Sequence, residues 1–369
     1  MPVSVLETAA ALRAAGTAVT LLATAGAGVP EHVTGPGLEV VRLDPLPPRL
    51  GDPRVEQALH LPHRLLLGRR VARALAERPF DVLHLFSPGA AAALSASTPV
   101  VIQSWFTPPT LRGRLATMMP LAPRDAWLPV RLLAETQAHL ADVAGYRRAA
   151  LVLANTADAE RALRAAGLPA RTVPPCISVP DAPPRRRPSD RLRVVFCAYN
   201  LASPRKGLDP LLEAMATLPP GRFSLTLVGG GAERIAGAVE RARAAGVEVE
   251  ALGLVPRRRY LELLAADADL LAMPSRYEEW GYAAFEALSL GVPVLALRRY
   301  PFAQVLDERT GLLADDAAGL AGALRRAAEH GLPAPESVQD AARGRFGATA
   351  VVPKLLDAYA SVAAGRVSA

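Results

Sequence analysis

The stretch MPSRYEEWGYAAFEA, residues 273–287, is the most informative part of this chain. The apolar residues up to Met273 predict a buried strand, which runs into a loop with two acids, Glu278 and Glu279. Gly281 follows and opens a helix, and the apolar residues 292–296 beyond that helix predict the next strand. The stretch therefore predicts a strand–loop–helix–strand unit of a parallel sheet.

Acidic residues flank the start of this helix on both sides. Glu278 and Glu279 precede it, and Glu286 lies in its early turns. Backbone N–H groups at a helix N-terminus can face an anion, and carboxylates can accept hydroxyl groups. Such a unit can hold a diphosphate and its sugars. The alternative is an ordinary strand–helix–strand unit with solvated acids, and the spacing alone leaves both interpretations open.

Glu278 and Glu286 are separated by seven residues. Together with Pro274-Ser275, Gly281 and the GVPV run at 291–294, they resemble the E-x7-E signature of retaining glycosyltransferases. The family resembled is that of the group 1, or family-4-like, nucleotide-sugar transferases. The resemblance implies an α/β chain with the GT-B fold, in which two Rossmann-like domains face a central cleft.

Other segments extend the resemblance over nearly the whole chain. LVGGGAE at 227–233 resembles the family's strand and glycine turn, and LGLVP at 252–256 resembles the segment that lines the base pocket. TGLL at 310–313 matches a later Gly-Leu-Leu turn. In the first half, FDVLH at 80–84 and the Pro174-Pro175 region are similar too, although more loosely.

Lys206 lies in the loop PRKG, 204–207, after the first strand of the second half. A lysine in a strand–helix loop can pair with a diphosphate. The resemblance places Lys206 on the donor phosphates, where it would stabilise charge as the leaving group departs; the alternative is a solvated basic loop. Asn200 stands where many relatives carry a second phosphate-binding arginine, and Arg205 could substitute for that arginine.

The resemblance also implies roles for the acids. Glu278 would contact hydroxyls of the transferred sugar, and Glu286 would bind the donor ribose. Glu279, in place of a small residue, either alters the choice of donor or faces water. Glu278 and Lys206 are thus the catalytic candidates. The implied donor-binding set is Arg205, Lys206, Asn200, Gly229, Leu254, Val255, Glu278, Trp280, Gly281, Tyr282, Ala283 and Glu286.

Two residues of the first half are candidates for the acceptor or sugar side. After the strand at 99–103, relatives commonly place a histidine where this chain has Trp105. Trp105 could stack on a sugar face or belong to the core. His84 ends a different strand and could compensate in part for the absent histidine.

No metal site is predicted. Asp267 and Asp269 resemble an Asp-x-Asp motif, but they lie where a helix passes into a strand, without histidine support. His60 and His63 are similarly isolated from other ligand types. The family resembled is generally metal-independent. We therefore expect no metal and no cofactor, with a nucleotide-diphosphate sugar as co-substrate.

Composition narrows the range of partners. The net charge of +7 favours a phosphorylated substrate or an anionic membrane surface, although scattered arginine is also typical of a GC-rich gene. No zinc-finger or RNA-binding motif occurs, so nucleic acid is not an expected partner. No apolar run reaches the ~18 residues that span a bilayer, and no signal peptide opens the chain. With two cysteines, the composition predicts a cytoplasmic protein.

Alternating strand and helix patterns predict doubly wound parallel sheets in both halves of the 369 residues. We divide the chain into an acceptor-side Rossmann-like domain (1–180), a proline- and arginine-rich linker (181–192), a nucleotide-sugar-binding domain (193–345) and a C-terminal helix (346–369). Ligands should lie beyond the carboxyl ends of the strands.

Two expectations concern the first half. Relatives begin with a strand and a glycine-rich loop, whereas this chain begins in the helix that should follow, 3–15. A sheet without that strand would leave backbone groups unpaired, so we expect the true start to lie upstream of Met1. Residues 112–131 mix arginines with Leu, Met and Trp. They form either an interfacial membrane patch, at the inner membrane face, or a folded helical excursion.

The expected function is transfer of a hexosyl group from a nucleotide-diphosphate sugar to an unknown glycan, lipid or small-molecule acceptor, with the anomeric configuration retained. The alternative is a non-catalytic GT-B protein that binds nucleotide sugar or supports a partner. Trp105, Asn200 and the short N-terminus favour that alternative, while Lys206, Glu278 and Glu286 oppose it. A related GT-B epimerase or phosphorylase is a third interpretation.

Overall fold

The structure, a computed structural model, describes residues 3–24, 38–43, 60–94, 97–104, 128–278 and 280–366. Trp105, Glu279 and most of the 112–131 segment therefore lie outside the described residues. The chain divides into two compact units. The first comprises the described residues up to Cys176 together with those from Ala348 onward, and the second is Ile177–Gly347.

The first unit contains two parallel sheets. Its strands are β1 (Val19–Thr24), β2 (Leu38–Leu43), β3 (Leu83–Leu85), β4 (Val100–Ser104), β5 (Leu151–Ala154) and β6 (Ala170–Thr172). β1 pairs with β2, and the other four strands form a sheet in sequence order. Its helices are α1 (Val3–Ala14), α2 (His60–Glu77), α3 (Pro88–Ala91), α4 (Leu128–Tyr146), α5 (Ala157–Ala165) and, from the end of the chain, α13 (Ala348–Ala363).

The second unit contains a six-stranded parallel sheet. Its strands are β7 (Leu192–Asn200), β8 (Phe223–Gly230), β9 (Glu248–Gly253), β10 (Leu270–Met273), β11 (Val294–Leu297) and β12 (Gly311–Ala314). Their order across the sheet is β12-β11-β10-β7-β8-β9. The helices are α6 (Leu208–Ala216), α7 (Ala236–Ala244), α8 (Arg257–Asp267), α9 (Tyr282–Ser289), α10 (Phe302–Val305), α11 (Gly319–His330) and α12 (Pro335–Phe346).

The central strands show why the sequence forms this sheet. All residues of β10 (LLAM) and β11 (VLAL) are buried, as expected for parallel strands that are covered on both faces. Phe196 on β7 and Leu227 on β8 lie in the same core. The α/β class with parallel sheets is thus confirmed. Among the residues that the structure describes, no helix is long and apolar enough to cross a membrane.

Some elements differ from the prediction. The Gly-Leu-Leu segment predicted as a turn at 310–313 is an edge strand, β12, which pairs with β11. The turn prediction was wrong because a four-residue edge strand gives little periodicity. The expected linker, 181–192, lies in the second unit, where Arg187 N donates to Ala266 O at 2.9 Å. The C-terminal helix, Ala348–Ala363, lies in the first unit.

A close backbone approach joins two loops of the second unit. β7 and β10 are neighbours in register, with Val194 beside Leu270, so the loops that follow them leave the sheet side by side. Gly207 ends the first loop with φ of +76°, and a Cβ there would lie 2.1 Å from the carbonyl oxygen of Pro274 in the second. The loops can approach this closely only because position 207 has no side chain.

We expect Gly207→Ala to lower the free energy of unfolding by about 3 kcal/mol or more, since it adds a backbone clash to the strain of a positive φ. Urea unfolding of the full chain measures the loss. Gly221→Ala is the matched control, because Gly221 has the same φ of +76° but nothing within 4 Å of its added Cβ. The control should lose only about 1–2 kcal/mol, and equal losses would contradict the close approach.

Candidate active site

The candidate site lies where β7 and β10 end. The loop after β7 carries Arg205 and Lys206, and the loop after β10 carries Glu278. Main-chain and side-chain bonds tie the loops together: Arg276 N donates to Arg205 O at 2.9 Å, and Arg205 Nη1 donates to Tyr277 O at 3.0 Å. The carboxyl ends of two adjacent parallel strands thus bring together residues that are distant in the sequence.

Glu278 is the centre of this contact. Its side chain is 7% exposed, and Oε1 accepts hydrogen bonds from Lys206 Nζ at 2.5 Å and from Ser275 Oγ at 2.7 Å. Arg205 Nη1 lies 3.7 Å from Oε2. A buried carboxylate needs such partners, because its charge is costly away from water. The site thus fixes one carboxylate between two cations, with Lys206 itself 18% exposed.

Gly281 starts α9 with φ of +80°, and an added Cβ would lie 2.8 Å from Cζ of Phe302. Tyr282 and Ala283 are the first residues of α9, so their N–H groups belong to the unsatisfied set at a helix N-terminus. Such groups favour an anion. The helix start therefore offers backbone donors beside the Lys206–Glu278 pair.

Trp280 contributes its backbone to this turn, while its side chain belongs to the core. The indole is 2% exposed, stacks on Phe285 with centroids 4.1 Å apart, and meets the edge of Phe346. Its Nε1 is buried and has no hydrogen-bond partner among the described residues. The aromatic contacts anchor the segment that connects Glu278 to α9.

Glu286 lies in the second turn of α9 and is bound by an arginine from a neighbouring helix. Arg257 Nε, at the start of α8, donates to Oε1 at 2.6 Å, and the Glu286 side chain is 13% exposed. Burial raises the pKa of Glu286, and the hydrogen bond and charge of Arg257 oppose that rise. The carboxylate is therefore oriented by a partner that the sequence analysis did not identify.

The glycine-rich end of β8 lies next to Leu254 and to the main chain of Tyr199, two residues with exposed side chains. Gly229 passes so close to β7 that a Cβ would lie 1.8 Å from Ala198 O. Leu254 is 64% exposed, and Tyr199, at the end of β7, is 85% exposed. Gly230 lies between them, since its Cβ would be 3.4 Å from both Leu254 Cδ1 and Tyr199 O. Exposed apolar groups at the carboxyl ends of strands can take a flat ring.

The segment that is predicted to line the base pocket is thus partly apolar and accessible. Val255, next to Leu254, is half-buried. Tyr199 and Arg257 were missed in the sequence. An aromatic residue ending a central strand was the available signal for Tyr199, and the arginine run directly after Pro256 was the signal for Arg257.

Asn200 is the last residue of β7, and its side chain binds the main chain of the loop that follows. Its Oδ1 accepts from Ala202 N at 3.0 Å, and a Cβ at Gly231 would lie 2.9 Å from the same oxygen. A side-chain oxygen that accepts a main-chain N–H two residues later stabilises a tight turn. The side chain therefore shapes the loop that leads to Arg205 and Lys206.

His84, a predicted acceptor-side residue, lies in the first unit. Its Nδ1 is 2.7 Å from Tyr359 Oη on α13, and its ring stacks on Phe86. Burial lowers the pKa of His84 to about 3, so the ring is neutral at physiological pH. The structure shows His84 as a packed residue of this unit, and Trp105 lies outside the described residues.

The Asp-x-Asp motif is bound by arginines. Arg193 donates from Nε to Asp269 Oδ2 at 3.0 Å and from Nη2 to Oδ1 at 2.9 Å. Arg187 Nη1 lies 3.3 Å from Asp267 Oδ1. Among the described residues, no three His, Cys, Asp or Glu side chains are grouped so that they could hold a metal ion. The two aspartates thus have a structural partner in β7 and the segment before it.

Comparison with known proteins gives the family. The model of "Glycosyl transferases group 1" matches residues 191–330, and that of "Glycosyl transferase 4-like domain" matches residues 1–176. The chain belongs to the group 1, family-4-like glycosyltransferases with the GT-B fold. The recognition from the E-x7-E pattern is confirmed at this level.

An individual relative of known function matches only part of the chain, at low identity. A GDP-mannose-dependent alpha-(1-6)-phosphatidylinositol dimannoside mannosyltransferase of Mycobacterium tuberculosis is 27% identical over 154 residues, which are 39% of this chain and 40% of that protein. The match thus spans about two fifths of the length of that relative.

Solved structures show the same fold. Sucrose-phosphate synthase from Thermosynechococcus elongatus aligns with a TM-score of 0.73 and 23% identity, over 97% of this chain and 92% of that one. Anabaena HepE in complex with UDP-glucose aligns with a TM-score of 0.62 and 19% identity, over 93% and 99%. At these identities the likeness concerns architecture, and it agrees with two Rossmann-like domains.

Breaking the Lys206–Glu278 pair from one side should be costly. Lys206→Met leaves a nearly buried carboxylate without its main cation, and we expect a loss of about 2–3 kcal/mol in unfolding free energy. Adding Glu278→Gln should recover part of that loss. A double-mutant cycle measures the coupling.

The control cycle uses Arg298 and Asp315, an ion pair whose side chains are 53% and 82% exposed. An exposed pair should show a coupling of about 0–1 kcal/mol. Similar couplings in both cycles would contradict the view that Lys206 stabilises the Glu278 carboxylate more than a surface ion pair would.

Proposed function

We propose that this chain transfers a hexosyl group from a nucleotide-diphosphate sugar to a hydroxyl acceptor, with the anomeric configuration retained. The observation that carries the proposal is the meeting of Lys206 and Glu278 beside the N-terminus of α9, where Glu286 follows one turn later. A cation, backbone N–H donors and two carboxylates at one point match the charges and hydroxyls of such a donor.

In this proposal each group acts on a different part of the donor. The diphosphate binds the N–H groups at the start of α9 and the charges of Arg205 and Lys206. Glu278 accepts hydroxyls of the sugar, and Glu286 accepts those of the ribose. The base lies against Leu254 and Val255, at the glycine-rich end of β8.

The chemical step needs no charged nucleophile from the protein. The bond between the sugar's anomeric carbon and the diphosphate oxygen breaks, and the acceptor oxygen forms the new bond on the same face. The acceptor proton passes to the departing phosphate oxygen. Lys206 stabilises the charge that develops on the leaving group. The bonds from Lys206 and Ser275 to Glu278 support a binding role for that carboxylate over a nucleophilic one.

The acceptor supplies the hydroxyl group that forms the new bond. We propose that it binds to the first unit and is a glycan, a lipid or a small molecule with a free hydroxyl. The name of the mycobacterial relative, which acts on a phosphatidylinositol dimannoside, supports a lipid-linked acceptor. We place the enzyme in the cytoplasm, with peripheral contact at the inner membrane face and without a bound metal or cofactor.

Donor binding tests the proposal. Titration of UDP-, GDP-, ADP- and TDP-sugars in buffer with EDTA should give one preferred base. Glu286→Ala should then weaken that donor about 10–100-fold, because charged hydrogen bonds contribute about 1.5–3 kcal/mol. Isothermal titration measures both constants. Glu250→Ala is the control, since it removes an exposed carboxylate from the same unit.

Three results separate the alternatives. Binding followed by acceptor-dependent transfer, with the product's anomeric configuration determined by NMR, supports the proposal. Binding without transfer to any acceptor supports the non-catalytic alternative. Unchanged affinity in Glu286→Ala would contradict the placement of the ribose.

Membrane contact has its own test. Because the chain carries a net charge of +7, we expect it to sediment with vesicles that contain anionic lipid and to be released as salt is raised. Neutral vesicles are the control. Equal binding to both kinds of vesicle, or binding that salt does not change, would contradict an electrostatic contact.

A further inference from the structure

We propose that Arg257 is a positioning residue, which holds the Glu286 carboxylate as a charged, oriented acceptor for the ribose hydroxyls of the donor. This inference rests on the proposed function, because it concerns the same donor site. It adds a residue outside the E-x7-E segment and makes that residue a determinant of the preference for ribonucleotides.

The three arginines at the start of α8 differ in where they bind. Arg258 and Arg259 lie 3.5 and 3.7 Å from Glu262 of their own helix. Arg257 instead reaches α9, where its Nε donates to Glu286 Oε1 at 2.6 Å. A cation at a helix N-terminus faces an unfavourable dipole, so the charge of Arg257 has its favourable partner across the gap between the helices.

Burial makes this partner necessary. The Glu286 side chain is 13% exposed, while that of Arg257 is 46% exposed, so the pair extends inward from the surface. Within the described part of the chain, Cys197 on β7 and Tyr260 on α8 also interact electrostatically with Glu286. Burial raises the pKa of Cys197 to about 11 and that of Tyr260 well above its ordinary value, so both are neutral near pH 7.

Glu286 therefore depends on Arg257 for its charge. Burial favours the protonated carboxyl and raises its pKa, whereas Arg257 lowers that pKa through a hydrogen bond and a favourable charge. Lys206, from the loop after β7, is close enough to lower the pKa of Cys197, against the effect of burial. Without Arg257, the carboxyl should take up a proton at higher pH, and a protonated carboxyl is a poorer acceptor for two hydroxyls.

The geometry also orients the carboxylate. Since Arg257 binds Oε1, the rotation of the group is fixed and Oε2 can be directed at a ribose hydroxyl. An oriented, ionised acceptor discriminates strongly against a ligand that lacks the hydroxyl, because a buried polar group is then left unpaired. The preference for a nucleoside diphosphate over its 2′-deoxy analogue should thus depend on Arg257.

The test compares Arg257→Gln with Arg258→Gln in the full chain. Both remove one charge from the same helix start, but Arg258 is 90% exposed and pairs within its own helix. The first probe is UDP or GDP, depending on which of them binds the wild type. The second probe is the 2′-deoxy form of the same diphosphate, and both are titrated between pH 6 and 9. A ¹³C-carboxyl NMR titration of Glu286, assigned with Glu286→Gln, follows its ionisation without any ligand.

We expect Arg257→Gln to weaken diphosphate binding about 10-fold at pH 6.5, because that factor corresponds to the loss of one charged hydrogen bond. Affinity should recover as pH rises through the raised pKa of Glu286, and the ribose preference should shrink. The NMR midpoint of Glu286 should move to higher pH. Arg258→Gln should change each quantity less than twofold. Arg257→Lys should keep the charge and restore the NMR midpoint in part.

Other results overturn the inference. An unchanged NMR midpoint in Arg257→Gln would show that Arg257 does not control the charge of Glu286. An affinity loss that is equal at all pH values, and equal for the diphosphate and its 2′-deoxy analogue, would indicate a general structural effect. If the wild type binds no nucleotide, the proposed function and the donor role fail together, while the NMR titration separately decides the Arg257–Glu286 coupling. If Arg257→Gln does not fold, Arg257→Ala, which also removes the charge, carries the same comparisons.

Discussion

The pairing of β7 with β10 is the constraint on which the candidate site depends. Because these strands are parallel neighbours, their two loops leave the sheet at the same edge, and Lys206 meets Glu278 across 72 positions of sequence. The fit between the loops is set by the backbone, since position 207 has room only for glycine. Side-chain chemistry at this edge is thus a consequence of strand order and of one close approach.

Local patterns in the sequence were sufficient for most of the strands and for the start of α9, because each depends on residues within a short window; the edge strand β12 was missed. The ion pairs between residues distant in sequence could not be predicted from such local patterns. Arg257 and Glu286 are 29 positions apart, and Arg193 and Asp269 are 76 apart, so their contacts follow from the sheet order. The turn stabilised by Asn200 could not be predicted either, since the residue type is the same whether the side chain binds a phosphate or a nearby main-chain N–H group.

Three partly or fully buried acids of the second unit follow a common rule. Asp269, Glu278 and Glu286 have side chains that are 20%, 7% and 13% exposed, and each is bound by a cation from another element. A buried charge without a partner would be strongly destabilising. Some of the arginines therefore stabilise buried carboxylates, although the arginine content by itself is equally typical of a GC-rich gene. The Arg193–Asp269 pair joins β7 to the start of β10, so it also supports the strand pairing.

The position of α13 has a consequence for how the protein is made. Val351 and Leu355 of this last helix lie in the core of the first unit, together with Val101 and Leu153. The second unit is continuous in sequence, whereas the first needs residues from both ends of the chain. During synthesis, which proceeds from the N-terminus, the second unit can complete its core while the first still lacks a helix. The unit that leaves the ribosome first is therefore the unit that finishes folding last. Until α13 is released, the apolar surface of the first unit that α13 covers has to be protected from aggregation.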